Sequence, residues 1–210
     1  MIPIIVFLCG AMVMSFEILG SRVLAPNFGS SVFVWGSLIS VFLAGLSAGY
    51  YLGGKAADIL PSTRKLALII LLPGLLFITF PLYSAGISYW IFTKDLGVRL
   101  SPLLASLALF FIPSVFLGAV SPYTAKLMLS SLHTSGTTIG TLYALSTCGS
   151  IAGTLLTSFY LITVAGVKFI IMVEGMILLM LSMSLFLIRN SRAPEDRVST
   201  ELDVEPVYPL

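Results

Sequence analysis

Six long apolar runs separated by short polar intervals organise the chain. They cover roughly Pro3 to Leu24, Val32 to Gly53, Leu66 to Phe92, Pro102 to Leu129, Ile139 to Val164 and Val167 to Ile188. A helix needs about 20 predominantly apolar residues to cross the hydrocarbon core, so each run is long enough to span with some tilt. The runs are continuous and show no period-two alternation, which argues against the strands of an outer-membrane barrel. The predicted fold is all-α: an integral membrane six-helix bundle over residues 1–189, followed by an acidic cytoplasmic tail over residues 190–210. In that tail Glu195, Asp196, Glu201, Asp203 and Glu205 are interleaved with prolines, a composition expected to stay solvated unless a partner orders it.

Composition agrees with a lipid solvent. Of the 210 residues 58% are apolar and only 10% charged, too few to coat a water-soluble domain. The net charge of +2 offers no footprint for nucleic acid. Cys9 and Cys148 fall inside apolar runs without metal-ligand spacing and read as packing residues. The first run lacks a basic leading segment and continues past any small-residue cleavage site, so it is expected to be a retained helix and not a secretory signal.

Orientation follows from the basic residues, which are retained on the cytoplasmic side. Lys55, Arg64, Lys65, Lys126, Arg189, Arg192 and Arg197 fall on one side, and Arg22, Lys94, Arg99 and Lys168 on the other. Seven against four place both termini in the cytoplasm. Pro73, Pro81, Pro113 and Pro122 in the third and fourth runs free backbone carbonyls and bend helices, a device shared by transporters and static bundles.

Helix 2 carries Gly45, Gly49 and Gly53 at four-residue spacing, and helix 5 repeats the device with Gly149 and Gly153. Small residues at this spacing let membrane helices approach closely, since burying apolar surface gains little among lipid tails. These faces serve either packing within one bundle or a junction between two, that is, a homodimer or hetero-complex through helices 2 and 5. Their matching places in the first and second sets of three helices hint at the 3+3 repeat on which many transporters are built.

Glu17 and Glu174 are the acidic residues placed inside the membrane, where each is expected to find a partner or a wet cavity. Helical rise puts both at about the same depth in the outer half of the bilayer. They either share a pocket for a cationic solute or a proton, or each pairs with Arg22, a Tyr or a backbone amide. His133 is read as a solvated loop residue, and Asp58 as a partner of Lys55, Arg64 or Lys65. No phosphate-binding glycine loop, metal-ligand cluster or nucleophile–base–acid set is apparent, so neither a metal, a cofactor nor enzyme activity is expected.

The segment Ser15 to Ser31 (SFEILGSRVLAPNFGSS), then Val34-Trp35, then Phe42 to Asp58 (FLAGLSAGYYLGGKAAD) resembles the membrane region of the fused transporter/spermidine synthase-like proteins. Phe116 to Pro122 (FLGAVSP) and the stretches Ile139 to Ala144 (IGTLYA) and Thr147 to Gly153 (TCGSIAG) are similar to the same family. The likeness reaches to about residue 188. Where family members often place Asn in helix 5, this chain has Ser146. The resemblance implies a half-major-facilitator bundle in a prokaryotic inner membrane. Family members commonly continue into a cytoplasmic aminopropyltransferase-like domain, whereas the polar residues after helix 6 are too few for a nucleotide-binding unit of about 30 residues. The expectation is therefore a non-catalytic membrane subunit that anchors or serves a separately encoded, soluble synthase-like partner and passes a small cationic or amphipathic solute. Two alternatives stand beside it: a stand-alone dimeric transporter of a polyamine-like or proton-coupled kind, and a structural subunit of a larger membrane complex.

Overall fold

The computed structural model describes residues 2–59, 61–129 and 135–187. His133, Arg189, Arg192, Arg197 and the acidic tail lie outside the described residues. Six crossings follow one another, each long and apolar enough to span a membrane: α1 (Ile2–Phe28), α2 (Val32–Ile59), α3 (Thr63–Phe92), α4 (Gly97–Met128), the α5 crossing and α7 (Val167–Leu187). The fifth is composite. Helix α5 (Ser135–Leu156) passes into a π-helical turn, Thr157–Leu161, and then into a last short turn, α6 (Ile162–Val164).

The helix ends follow local chemistry. The Ser62 hydroxyl accepts the Arg64 N–H at 3.2 Å and caps α3, satisfying one of the donors that a helix start leaves free. Gly29, just after α1, and Gly97, the first residue of α4, take φ of 71° and 85°, a left-handed backbone that glycine adopts without steric cost. Helix α1 runs a turn beyond the expected Leu24, through Pro26. Proline already has a helical φ, and near a helix end its missing N–H costs one bond only. Helix α2 continues past Gly53 and carries Lys55 and Asp58 beyond the apolar zone. There Asp58 pairs with Lys126 of α4 at 3.7 Å, instead of the expected Lys55, Arg64 or Lys65.

Three close pairs make the bundle: α2 on α4, α1 on α5, and α3 on α7. Glycine sets each approach. A Cβ on Gly49 would strike the Val115 carbonyl oxygen, and one on Gly53 would lie 2.6 Å from the Ala119 Cα, so α2 lies backbone against backbone on α4. Gly149 and Gly153 meet Phe7 and Ala11 of α1 in the same way. From the other side, Gly118 of α4 meets Leu46 of α2, and Gly10 of α1 meets Ser146 of α5. In the third pair, Gly74 of α3 abuts Leu178 and Leu179, while Gly175 of α7 abuts Phe77 and Ile78.

These contacts map onto one another in constant register. Exchanging Gly49 with Gly149, Gly53 with Gly153, Gly118 with Gly10 and Gly74 with Gly175 turns each contact into its counterpart. The molecule is thus two three-helix repeats, α1–α3 and α4–α7, related by a pseudo-two-fold. Each repeat crosses an odd number of times, so the second is inverted and the axis lies in the membrane plane. The glycine faces of α2 and α5 are occupied within this bundle and are not free to join two bundles, which corrects the junction reading of Gly45, Gly49, Gly53, Gly149 and Gly153.

The core is not equally symmetric. Phe16 of α1 touches Phe42, Phe77, Phe80 and Phe110 with ring centroids 5.7, 4.2, 5.5 and 5.1 Å away. All five rings are buried. Tilted and edge-on aromatic pairs add roughly 0.5–1.5 kcal/mol each beyond their area, so this cluster fixes α1 against α2, α3 and α4.

Candidate functional site

Glu174 sits two turns into α7 and is only 7% exposed. It faces α1 and the start of the π turn. The Ser15 hydroxyl donates to Glu174 Oε1, and Ser15 Oγ lies 2.6 Å from Thr157 Oγ1. A hydroxyl has one proton to give, so with Ser15 donating to the carboxyl, Thr157 donates to Ser15. The relay draws on three helices: Ser15 from α1, Thr157 from the π turn and Glu174 from α7. Oε2 of Glu174 is buried with no hydrogen-bond partner.

Glu174 lines a cleft of about 290 Å³ whose walls are almost wholly apolar, among them Met12, Leu161, Ile170 and Ile177. Leu156 and Phe169, two of its lining residues, are exposed on the outside of the bundle. The π turn supplies part of this shape. The Ile162 N–H reaches back to the Thr157 carbonyl, five residues earlier, and the extra residue in the turn rotates the following side chains away from their regular helical positions. Single π turns of this kind occur often at functional sites. An acidic side chain at mid-bilayer costs about 2.5 kcal/mol or more on insertion scales, and a lone hydroxyl partner offsets only part of that. Chemically, the cleft is suited to a ligand with an apolar body and one cationic or hydrogen-bond-donating head.

The residues predicted to form a site are not brought together. Glu17 and Arg22 do not line the Glu174 cleft. Glu17 follows Ser15 by two positions, roughly 200° around α1, so when Ser15 points at α7 Glu17 points away from it. A shared carboxylate pocket is therefore not formed. Arg22 lines a separate cavity with Lys168, Ser84 and Ser88. Among the described residues, no three His, Cys, Asp or Glu side chains gather as metal ligands. The residues missed by sequence reasoning are Ser15 and Thr157, since a single hydroxyl in an apolar helix has no periodic signature.

Comparison of the chain with family models, with curated proteins and with solved structures finds no match.

Proposed function

We propose that this chain is a non-catalytic membrane protein of transporter type that takes an amphipathic cation into the Glu174 cleft from the lipid side. The observation that carries this reading is the buried carboxyl of Glu174, its Oε2 unpartnered, in the lining of an apolar cleft some of whose walls are exposed. A protonated amine offers the donor and the charge that this oxygen lacks, and an alkyl or aromatic body fills the rest. The inverted 3+3 repeat supports the transport part, because alternating access is commonly built by rocking of such repeats about a midplane site.

The finer expectations belong to the same proposal. The bundle corresponds to half of a facilitator-like architecture, so a second half comes from another copy or another chain through surfaces other than the α2 and α5 glycines. The termini face the cytoplasm of a prokaryotic inner membrane. A synthase-like partner on that side would release or consume the cation. The resemblance motifs favour this last point only indirectly, since Gly45, Gly49, Gly53 and Gly118 within them are helix-packing residues.

The test is binding and efflux of a long-chain primary alkylamine in proteoliposomes. The intact protein is expected to bind and move the amine, and Glu174→Gln to weaken binding by about tenfold or more, the scale of one charged hydrogen bond in an apolar site. Equal binding by Glu174→Gln would overturn the reading.

A further inference from the structure

The cavity that holds Arg22 lies outside the Glu174 cleft and has opposite chemistry. It measures about 210 Å³ and sits where the end of α1, the second half of α3 and the first turn of α7 meet. Its lining includes Ser84 and Ser88 of α3, each 1% exposed, and both hydroxyls are buried without a hydrogen-bond partner. Serine in a helix ordinarily returns its proton to a carbonyl one turn back, as Ser114 does to Phe110 at 2.8 Å. Ser84 and Ser88 do not. Two orphan hydroxyls one turn apart, on residues that line a cavity, are donors that an acceptor bound there would satisfy.

Its rim is cationic. Arg22 and Lys168 both line the cavity and are exposed, with Asn27 beside them. No acidic side chain lines it, and the ion pair seen among the described residues, Lys126 with Asp58, is elsewhere. Lys168 also opens α7, whose first-turn amides have no acceptor within their own helix and leave partial positive charge there. Arg22 lies six residues before the end of α1, about 9 Å along the axis.

We infer that Arg22, Lys168, Ser84 and Ser88 form a binding site for a phosphate-type anion, with the guanidinium and ammonium at the rim and the two serine hydroxyls donating from α3. Arg supplies a planar fork and Lys a point charge, the pairing that phosphate recognition uses most. A phospholipid headgroup and a soluble phosphate share this chemistry. The site is independent of the Glu174 cleft.

The test uses the full chain in a nonionic detergent and follows thermal unfolding during titration with phosphatidylglycerol, with diacylglycerol and with inorganic phosphate. Phosphatidylglycerol is expected to raise the melting temperature where diacylglycerol does not. The Arg22→Gln/Lys168→Gln pair is expected to weaken that binding by about tenfold or more. The Ser84→Ala/Ser88→Ala pair should leave the ligand-free melting temperature unchanged or slightly raised, because it removes unpaired hydroxyls, while still weakening the ligand several-fold. Lys94→Gln, a cation elsewhere on the same end of the bundle, should leave the ligand shift intact. Inorganic phosphate that reproduces and competes with the lipid effect would identify a soluble anion as the ligand; a lipid effect that phosphate does not touch would identify the headgroup. No stabilisation by either, or equal loss with Lys94→Gln, would overturn the site.

Discussion

The seam of α1, α5 and α7 and the seam of α4, α2 and α3 occupy equivalent places in the two repeats, and they have been finished differently. The register that pairs Gly10 with Gly118, Gly153 with Gly53 and Gly175 with Gly74 sets Ser15 opposite Tyr123, Thr157 opposite Ala57 and Glu174 opposite Pro73. In the α4, α2 and α3 seam Tyr123 is fully buried, and its hydroxyl accepts the Ser62 N–H at 3.1 Å and donates to the Ser62 carbonyl at 3.3 Å. A large ring fills the space and its polar tip is satisfied. In the α1, α5 and α7 seam a serine replaces the ring, and Ser15 and Glu174 both line an open cleft. The shared glycine contacts hold the helices in place in both, so the two seams separate scaffold from chemistry: backbone approach is repeated, and side-chain volume decides which seam becomes a cleft.

Several substitutions break or sharpen that contrast, and all can be read by thermal unfolding in detergent. Gly49→Leu and Gly149→Leu are expected to have the largest effect, more than about 3 kcal/mol each, because the new side chain has to occupy space already held by the facing backbone. Similar losses at both positions would support the repeat, and tolerance at one would break it. Tyr123→Ala comes next, at about 3 kcal/mol, through the cavity and the lost Ser62 contacts. The variant opens a cleft in the α4, α2 and α3 seam but should gain no alkylamine binding, since Pro73 offers no carboxyl there. Ser15→Ala is expected to cost about 1–3 kcal/mol by leaving both oxygens of Glu174 without a donor. Smallest is Gly36→Ala, where nothing lies within 4 Å of the added methyl. It should stabilise α2 by roughly 0.5–1 kcal/mol, the ordinary gain of alanine over glycine inside a helix.

The six crossings were legible because lipid imposes a length and a polarity that apolar runs report directly. Their ends were less so: Lys55 and Asp58 looked like loop residues, yet the backbone stays helical to Ile59 once it leaves the apolar zone. The glycine stripes were visible as small faces, but spacing along one helix carries no information about which other helix arrives there. The same gap explains the acidic pair. Glu17 and Glu174 were placed by depth alone, whereas the direction each faces depends on helical phase and on the neighbour, and the two-residue offset from Ser15 turns Glu17 away. Glu174 itself stood out as an intramembrane carboxyl; its hydroxyl relay did not, because Ser15 and Thr157 become neighbours only after α1 and α5 pack. Ser84 and Ser88 were equally silent, since a serine with an empty partner looks in sequence like any serine bonded to its own helix.

Among the described residues, equal numbers of basic side chains stand at the two ends of the bundle: Lys55, Arg64, Lys65 and Lys126 at one, Arg22, Lys94, Arg99 and Lys168 at the other. A unit of three helices joined to its own upside-down copy would produce such a balance, because whatever marks one terminus of the first copy marks the opposite leaflet in the second. The translocon then meets a polypeptide whose body favours neither sense of threading. By the rule that basic residues stay on the cytoplasmic side, Arg189, Arg192 and Arg197 in the sequence after the last crossing would be the charges that break the tie.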